Sequence, residues 1–212
     1  MDRGESRIVL QALRDQLGQP VWPVHRLDKG TSGVLVFALD AAVASFLGRA
    51  FESGEGLAKR YLAMVRGWPA DHGMVDHALR RMPDDLRTGR EAVQSAQSRW
   101  QTLARGCLPL PYGPFAQTRV AQLALEPLTG RRHQLRRHMK HLAHPILGDA
   151  THGKGPLNRE VAAWLGHSRL WLHAHRLSLR HPVSGTALEL EAPPGPEWAL
   201  WSQRWTEHVG EP

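Results

Sequence analysis

The sequence predicts an α+β fold, and three observations carry that prediction. Short apolar or alternating segments read as strands, and amphipathic stripes that read as helices lie between them. No internal repeat and no regular strand-helix-strand alternation is present, so neither a solenoid nor a doubly wound parallel sheet fits. With 212 residues, 42% hydrophobic and 22% charged, the chain has the length and composition of a single packed domain over 1–212.

The elements follow in order. Residues 6–17 put Val9, Leu13 and Leu17 on one stripe and stop at Gly18, which reads as a helix with a glycine cap. Pro20 and Pro23 break the chain, and residues 25–33 (His-Arg-Leu-Asp-Lys-Gly-Thr-Ser-Gly) form a polar, glycine-punctuated loop. The run 34–39 (Val-Leu-Val-Phe-Ala-Leu) reads as a buried strand. Asp40 can cap a second helix carrying Val43, Phe46, Leu47, Ala50 and Phe51, ended by Gly54 and Gly56. Strands are expected over 59–66 and 73–79, then an exposed polar loop over 80–98. After the proline-rich turn 109–114, residues 117–126 alternate as a strand does, and Thr129-Gly130 open a basic helix whose inward stripe is Leu135, Met139 and Leu142. Residues 170–179 and 186–191 read as strands joined by a turn over 181–185. Trp198, Trp201 and Trp205, at i, i+3 and i+7, mark a C-terminal helix docked on the core.

Charge narrows the function. Lys and Arg number 27 against 20 Asp and Glu, a net charge of +7. Between residues 128 and 152, Arg131, Arg132, Arg136, Arg137 and Lys140 face a single acid, Asp149, with His133, His138, His141, His144 and His152 interleaved. On a helix Arg132, Arg136 and Lys140 fall at successive i,i+4 positions, a cationic ridge suited to a phosphate backbone, while an arginine at its inner edge would pair with a buried carboxylate. A nucleic-acid partner is expected. The lone Cys107 excludes an intramolecular disulfide framework and a cysteine zinc site, and it suits a reducing, cytoplasmic setting. The longest apolar run, 34–39, is far short of the roughly 20 residues that span a bilayer, and residues 1–5 carry no secretory signal, so no membrane association is expected.

Asp28 is the first chemical candidate. Flanked by Arg26 and Lys29 at the mouth of an apolar run, it can serve as nucleophile or base, or as a turn aspartate bonding its own backbone. Residues 29–33 lack the order of a phosphate-binding P-loop. The histidines show no H-E-x-x-H and no carboxylate among them, and the surrounding cations would repel a divalent metal, so no metal site and no cofactor are expected.

A wider pattern joins these residues. His25-Arg26-Leu27-Asp28 with Thr31-Ser32-Gly33-Val34-Leu35, Lys59-Arg60-Tyr61, Gly-Arg-Arg-His-Gln-Leu-Arg-Arg-His at 130–138, His144-Pro145-Ile146-Leu147-Gly148-Asp149 and Leu172-His173-Ala174 resemble the RluA-type pseudouridine synthases. The likeness runs from about residue 11 to residue 193, in the family's order. The doubled arginine, and Gly148-Asp149-Ala150-Thr151-His152-Gly153 followed by Asn158-Arg159, are most similar to the TruC branch, which modifies uridine 65 of tRNA.

The resemblance implies a pseudouridine synthase catalytic fold: a mixed, largely antiparallel sheet with flanking helices and a central RNA-binding cleft. It also implies a cofactor-free isomerisation in a monomer. Asp28 would be the nucleophile, at the ribose C1′ with a glycal-type intermediate or, alternatively, at C6 of the base. Tyr61 would stack on the base and help remove the C5 proton, Arg136 would pair with the catalytic carboxylate, and Arg26 would fill the stack left by the flipped uridine. Arg131, Arg132, Arg137 and Lys140 would contact RNA. Family members usually begin with a strand and a Lys-Pro loop ahead of the helix near Ser6; the sequence carries no such segment, so a sheet short of its N-terminal strand is expected. Alternatives are the same reaction on ribosomal RNA, a non-catalytic RNA-binding module and, remotely, a histidine-based metal hydrolase.

Overall fold

A computed structural model describes residues 9–82 and 93–207. The chain runs α1 (Val9–Leu17), β1 (Trp22–Pro23), β2 (Ser32–Gly33), β3 (Phe37–Ala38), α2 (Ala41–Ser53), β4 (Ala58–Arg66), β5 (His72–Asp76), β6 (Leu79–Arg80) and β7 (Val93–Gln94). It continues through β8 (Gln97–Leu108), β9 (Thr118–Pro127), α3 (Gln134–His141), α4 (Gly155–Leu165), β10 (Leu172–Arg180), β11 (Ala187–Glu191), α5 (Ala199–Arg204) and β12 (Thr206–Glu207).

The centre is a sheet in the order β11-β10-β4-β9-β8-β12, with β5 also paired to β8 and β2 to β10. Every pairing is antiparallel except β2 on β10. Because successive strand residues face opposite ways, the sheet buries both sides. Leu62, Met64 and Val120 face α4 and the tryptophans Trp171, Trp198 and Trp201. Ala63, Val65, Ala121, Leu123 and Leu125 face Leu135 and Met139 of α3. The tryptophan stripe does dock on the core: the Trp171 ring meets Trp201 edge-on at 5.1 Å and Trp198 at 5.4 Å.

Local chemistry sets the helices. The Asp40 carboxylate accepts from the N–H groups of Ala42 (2.8 Å) and Val43 (3.0 Å), and Gly54 closes α2 in the left-handed region. Leu47 of α2 packs on Leu177 and Leu179 of β10. Helix α1 ends at Gly18 as expected, but it buries no residue; Val9 and Leu17 stay exposed.

Three expectations need correction. Residues 34–39 do not form one strand. Ser32 and Gly33 join β10, Phe37 and Ala38 turn back onto β1, and the valines between them pack on α2 and β10 from a loop. The region expected as a loop over 80–98 contributes the β6–β7 pairing and the start of β8, while its middle, 83–92, lies outside the described residues. The cationic ridge does not form as drawn. Helix α3 begins only at Gln134 because His133 is left-handed at φ 55°, so Arg132 stands outside it, and Arg136 points inward, 5% exposed.

Candidate active site

The Asp28 loop is held at both ends. On one side His25 stacks on Phe51 at 4.3 Å, and its Nε2 accepts the Val36 N–H at 3.0 Å. On the other, His173 Nε2 donates to the Ala192 carbonyl (2.8 Å), which leaves Nδ1 to accept from the Ser32 hydroxyl (2.8 Å). Ser32 Oγ also accepts from Arg169 (2.6 Å), itself paired with Glu197. Gly33 then passes so close to β10 that a Cβ there would lie 2.1 Å from the Ala174 carbonyl oxygen, at φ 114°. Only glycine fits.

Arg136 connects this loop to a second one. Its Nε and Nη2 grip Asp149 in a two-pronged pair at 2.7 and 2.8 Å, and its Nη1 reaches Asp28 at 3.4 Å. Asp149, 1% exposed, also accepts the N–H groups of Thr151 (2.9 Å) and His152 (2.8 Å). Burial alone would raise its pKa, but the hydrogen bonds from Arg136 and the backbone hold it below the ordinary carboxyl value. Burial also works against the Arg136 guanidinium, and Asp149 outweighs that to raise its pKa. The firm partner of Arg136 is therefore Asp149, and Asp28 takes the remaining nitrogen.

Tyr61 stands on β4 beside this pair. Burial, and then the nearby Asp28 charge, push its hydroxyl up to about 12, so the phenol is neutral at physiological pH. Asp28 and Tyr61 share a cleft of about 610 Å³ with Arg26, Arg131 and Arg132. Arg26 is exposed, whereas Arg131 is half-buried with its Nε donating to the Ser95 carbonyl at 3.0 Å. Arg137 and Lys140, expected to contact RNA, do not line this cleft; Arg137 is half-buried and Lys140 exposed.

The turn before α3 is fixed by Gln134. Its Oε1 accepts from the Thr129 hydroxyl (2.7 Å) and the Arg131 N–H (2.9 Å), and its Nε2 donates to Gln97 and Ser98 on β8. A family profile described as RNA pseudouridylate synthase matches residues 3–141, a span that includes Asp28, Tyr61 and Arg136. The chain belongs to this family. Among similar proteins, tRNA pseudouridine synthase C of Vibrio cholerae is 45% identical over 181 residues, 84% of this chain and 74% of that protein. The protein of the same description from Haemophilus ducreyi is 44% identical over 180 residues, with the same coverage. Among solved structures, human RNA pseudouridylate synthase domain containing 1 superposes with a TM-score of 0.73 at 29% identity, over 94% of this chain and 79% of that one.

In this pseudouridine synthase several residues outside the expected set complete the site. Asp149 had two signals, as the single acid in a cationic block and as a member of the 144–149 motif, but neither assigned it to Arg136. His133 Nδ1 and His152 Nε2 share a hydrogen bond at 2.9 Å, and burial, opposed by Asp149, lowers His152 to about 4. Nothing in their spacing announces that pairing. Among the described residues no group of three His, Cys, Asp or Glu converges to hold a metal, and no helix is long and apolar enough to cross a membrane.

Proposed function

We propose that this chain converts a specific uridine of tRNA, at position 65, to pseudouridine, acting as a monomer in the cytoplasm. The observation that carries the reading is the convergence, in one cleft, of a loop carboxylate, a buried arginine anchored on a second carboxylate, and a neutral tyrosine.

The chemistry follows from that arrangement. Asp28 attacks C1′, and the N1–C1′ bond breaks with its electron pair leaving on the uracil. The ring turns and C5 bonds to C1′ as the bond from C1′ to Asp28 breaks and its electron pair returns to the carboxylate; the C5 proton leaves to water and N1 takes one from water. Atoms and electrons balance without an oxidant, reductant or second substrate. Arg136 fixes the attacking carboxylate by charge-assisted hydrogen bonding. The flat phenol of Tyr61 suits stacking on the flipped base beside the C5 proton it would help remove, and with its hydroxyl pushed up to about 12 it is neutral before the base arrives. Arg26, exposed at the rim, has the flat guanidinium that can fill the vacated stack.

The test maps pseudouridine in tRNA and ribosomal RNA from cells with and without the gene, and in transcripts treated with wild-type protein or Asp28→Asn. Loss of one tRNA pseudouridine, restored by the wild type and not by Asp28→Asn, is the expected result. A missing ribosomal pseudouridine instead would reassign the substrate, and normal turnover by the Asn variant would overturn the mechanism.

A further inference from the structure

Lys59 is two residues before Tyr61 on β4, so the pleat turns both side chains to the same face, about 6.6 Å apart along the strand. Both line the cleft. The two residues differ in how their polar ends are accommodated. Burial alone lowers the Lys59 pKa, with neither a carboxylate nor a hydrogen bond opposing the shift. Its ammonium lies against the backbone at Gly130, 3.9 Å from where a Cβ would sit, at the turn that carries Arg131 and Arg132.

Among the described residues no neighbouring group compensates that charge. His25, held at a pKa of about 4 by burial and by Lys59 itself, is neutral and already accepts the Val36 N–H. Of the two acids that line the cleft among the described residues, Asp28 is turned to Arg136, and Glu52 is exposed on α2 and makes no ion pair with Lys59. A lysine with a structural role would extend its head to water or pair it. This one holds a half-buried cation on the wall of a cleft open to an arriving anion.

We propose that Lys59 is a phosphate-binding residue that holds the RNA backbone one nucleotide away from the uridine seated on Tyr61. The assignment rests on the reading of this cleft as an RNA site and adds a residue to it. It makes Lys59 a positioning contact for substrate, separate from the bond-breaking groups Asp28 and Arg136.

The experiment compares wild type, Lys59→Gln, Lys59→Met and Lys59→Arg as full chains with a tRNA transcript. Binding is measured between about 50 and 200 mM salt, and turnover at saturating tRNA. Loss of one phosphate contact should flatten the slope of log K against log salt by about 0.7 to 0.9 and weaken binding about tenfold. Turnover at saturating tRNA should fall less than the affinity does, and Lys59→Arg should restore slope and affinity. Because the ammonium has no ion pair or hydrogen bond among the described residues, Lys59→Gln and Lys59→Met should melt no lower than wild type. A wild-type slope and affinity in Lys59→Gln, or a lower melting point in both neutral variants with the slope unchanged, would overturn the assignment. Absence of both pseudouridine formation and salt-dependent binding in the wild type would instead overturn the RNA reading, and the assignment with it.

Discussion

Asp149→Asn removes a charge while keeping the shape of the side chain. The carboxylate accepts from Arg136 Nε at 2.7 Å and Nη2 at 2.8 Å, and from the N–H groups of Thr151 and His152 at 2.9 and 2.8 Å. Oδ1 takes three of these bonds. An asparagine must therefore place its oxygen there, which sets its NH2 against the Nε–H of Arg136, donor facing donor. The guanidinium, 5% exposed, would keep only the 3.4 Å contact with Asp28 as an ion pair. Breaking a buried pair from one side costs about 3–5 kcal/mol. A chain of this length loses about 2–4 °C of melting temperature per kcal/mol, so the variant should melt roughly 6–20 °C lower. Urea unfolding at neutral pH, with an unchanged m-value, measures the difference directly. The sign with pH also follows. A carboxyl held below its ordinary value stabilises the fold above its unfolded pKa, about 3.9, and that contribution disappears as pH falls through the folded value. The gap between wild type and variant should close under acid. A neutral-pH loss below about 1 kcal/mol, or a gap that widens under acid, would refute the anchoring role of Asp149.

Other perturbations test the loop and its supports. Gly33→Ala meets the Ala174 carbonyl at 2.1 Å in a left-handed backbone, so stability should fall by about 3 kcal/mol and pseudouridine formation with it; a wild-type melt would disprove the close packing. Ser32→Ala leaves the buried His173 Nδ1 without its donor, and a loss of about 1–3 kcal/mol by urea titration is expected. The neutral His25 gives a pH signature. Its pKa drops from 6.5 to about 4 on folding, so the unfolded chain binds the extra proton between those values and stability should decline as pH falls through that window. His25→Gln should flatten that decline in urea midpoints, and an unaltered slope would count against the neutral imidazole.

Legibility varied with how the side chains are used. Strand β4 alternates between two cores, Leu62 and Met64 against Ala63 and Val65, and β9 and the β10–β11 hairpin alternate similarly, so their period shows in the sequence. Strand β8 does not. It is paired along both edges, by β9 on one side and by β5 and β12 on the other. Backbone bonding makes it a strand while many of its side chains are only half-buried and polar and apolar residues do not alternate. The run 34–39 misleads in the opposite way, because its apolarity comes from packing a loop against α2 and β10. Asp28, Tyr61 and Arg136 were legible through their motifs. Asp149 and Lys59 stand in the same motifs, but their roles depend on which groups face them in space, and spacing along the chain says nothing about that.

The short parallel pairing of Ser32 and Gly33 with His173 and Ala174 also bears on timing. The contacts that hold the Asp28 loop join residues 141 positions apart in the chain, and the clamp on Arg169 reaches on to Glu197. During synthesis, residues 25–33 leave the ribosome early and must wait for nearly the last strand before Asp28 is held. Loop closure over that distance is slow. A nascent chain that lacks β10 would thus present the cationic residues of α3 without a positioned Asp28 loop, and that loop would be fixed only once β10 has joined the sheet.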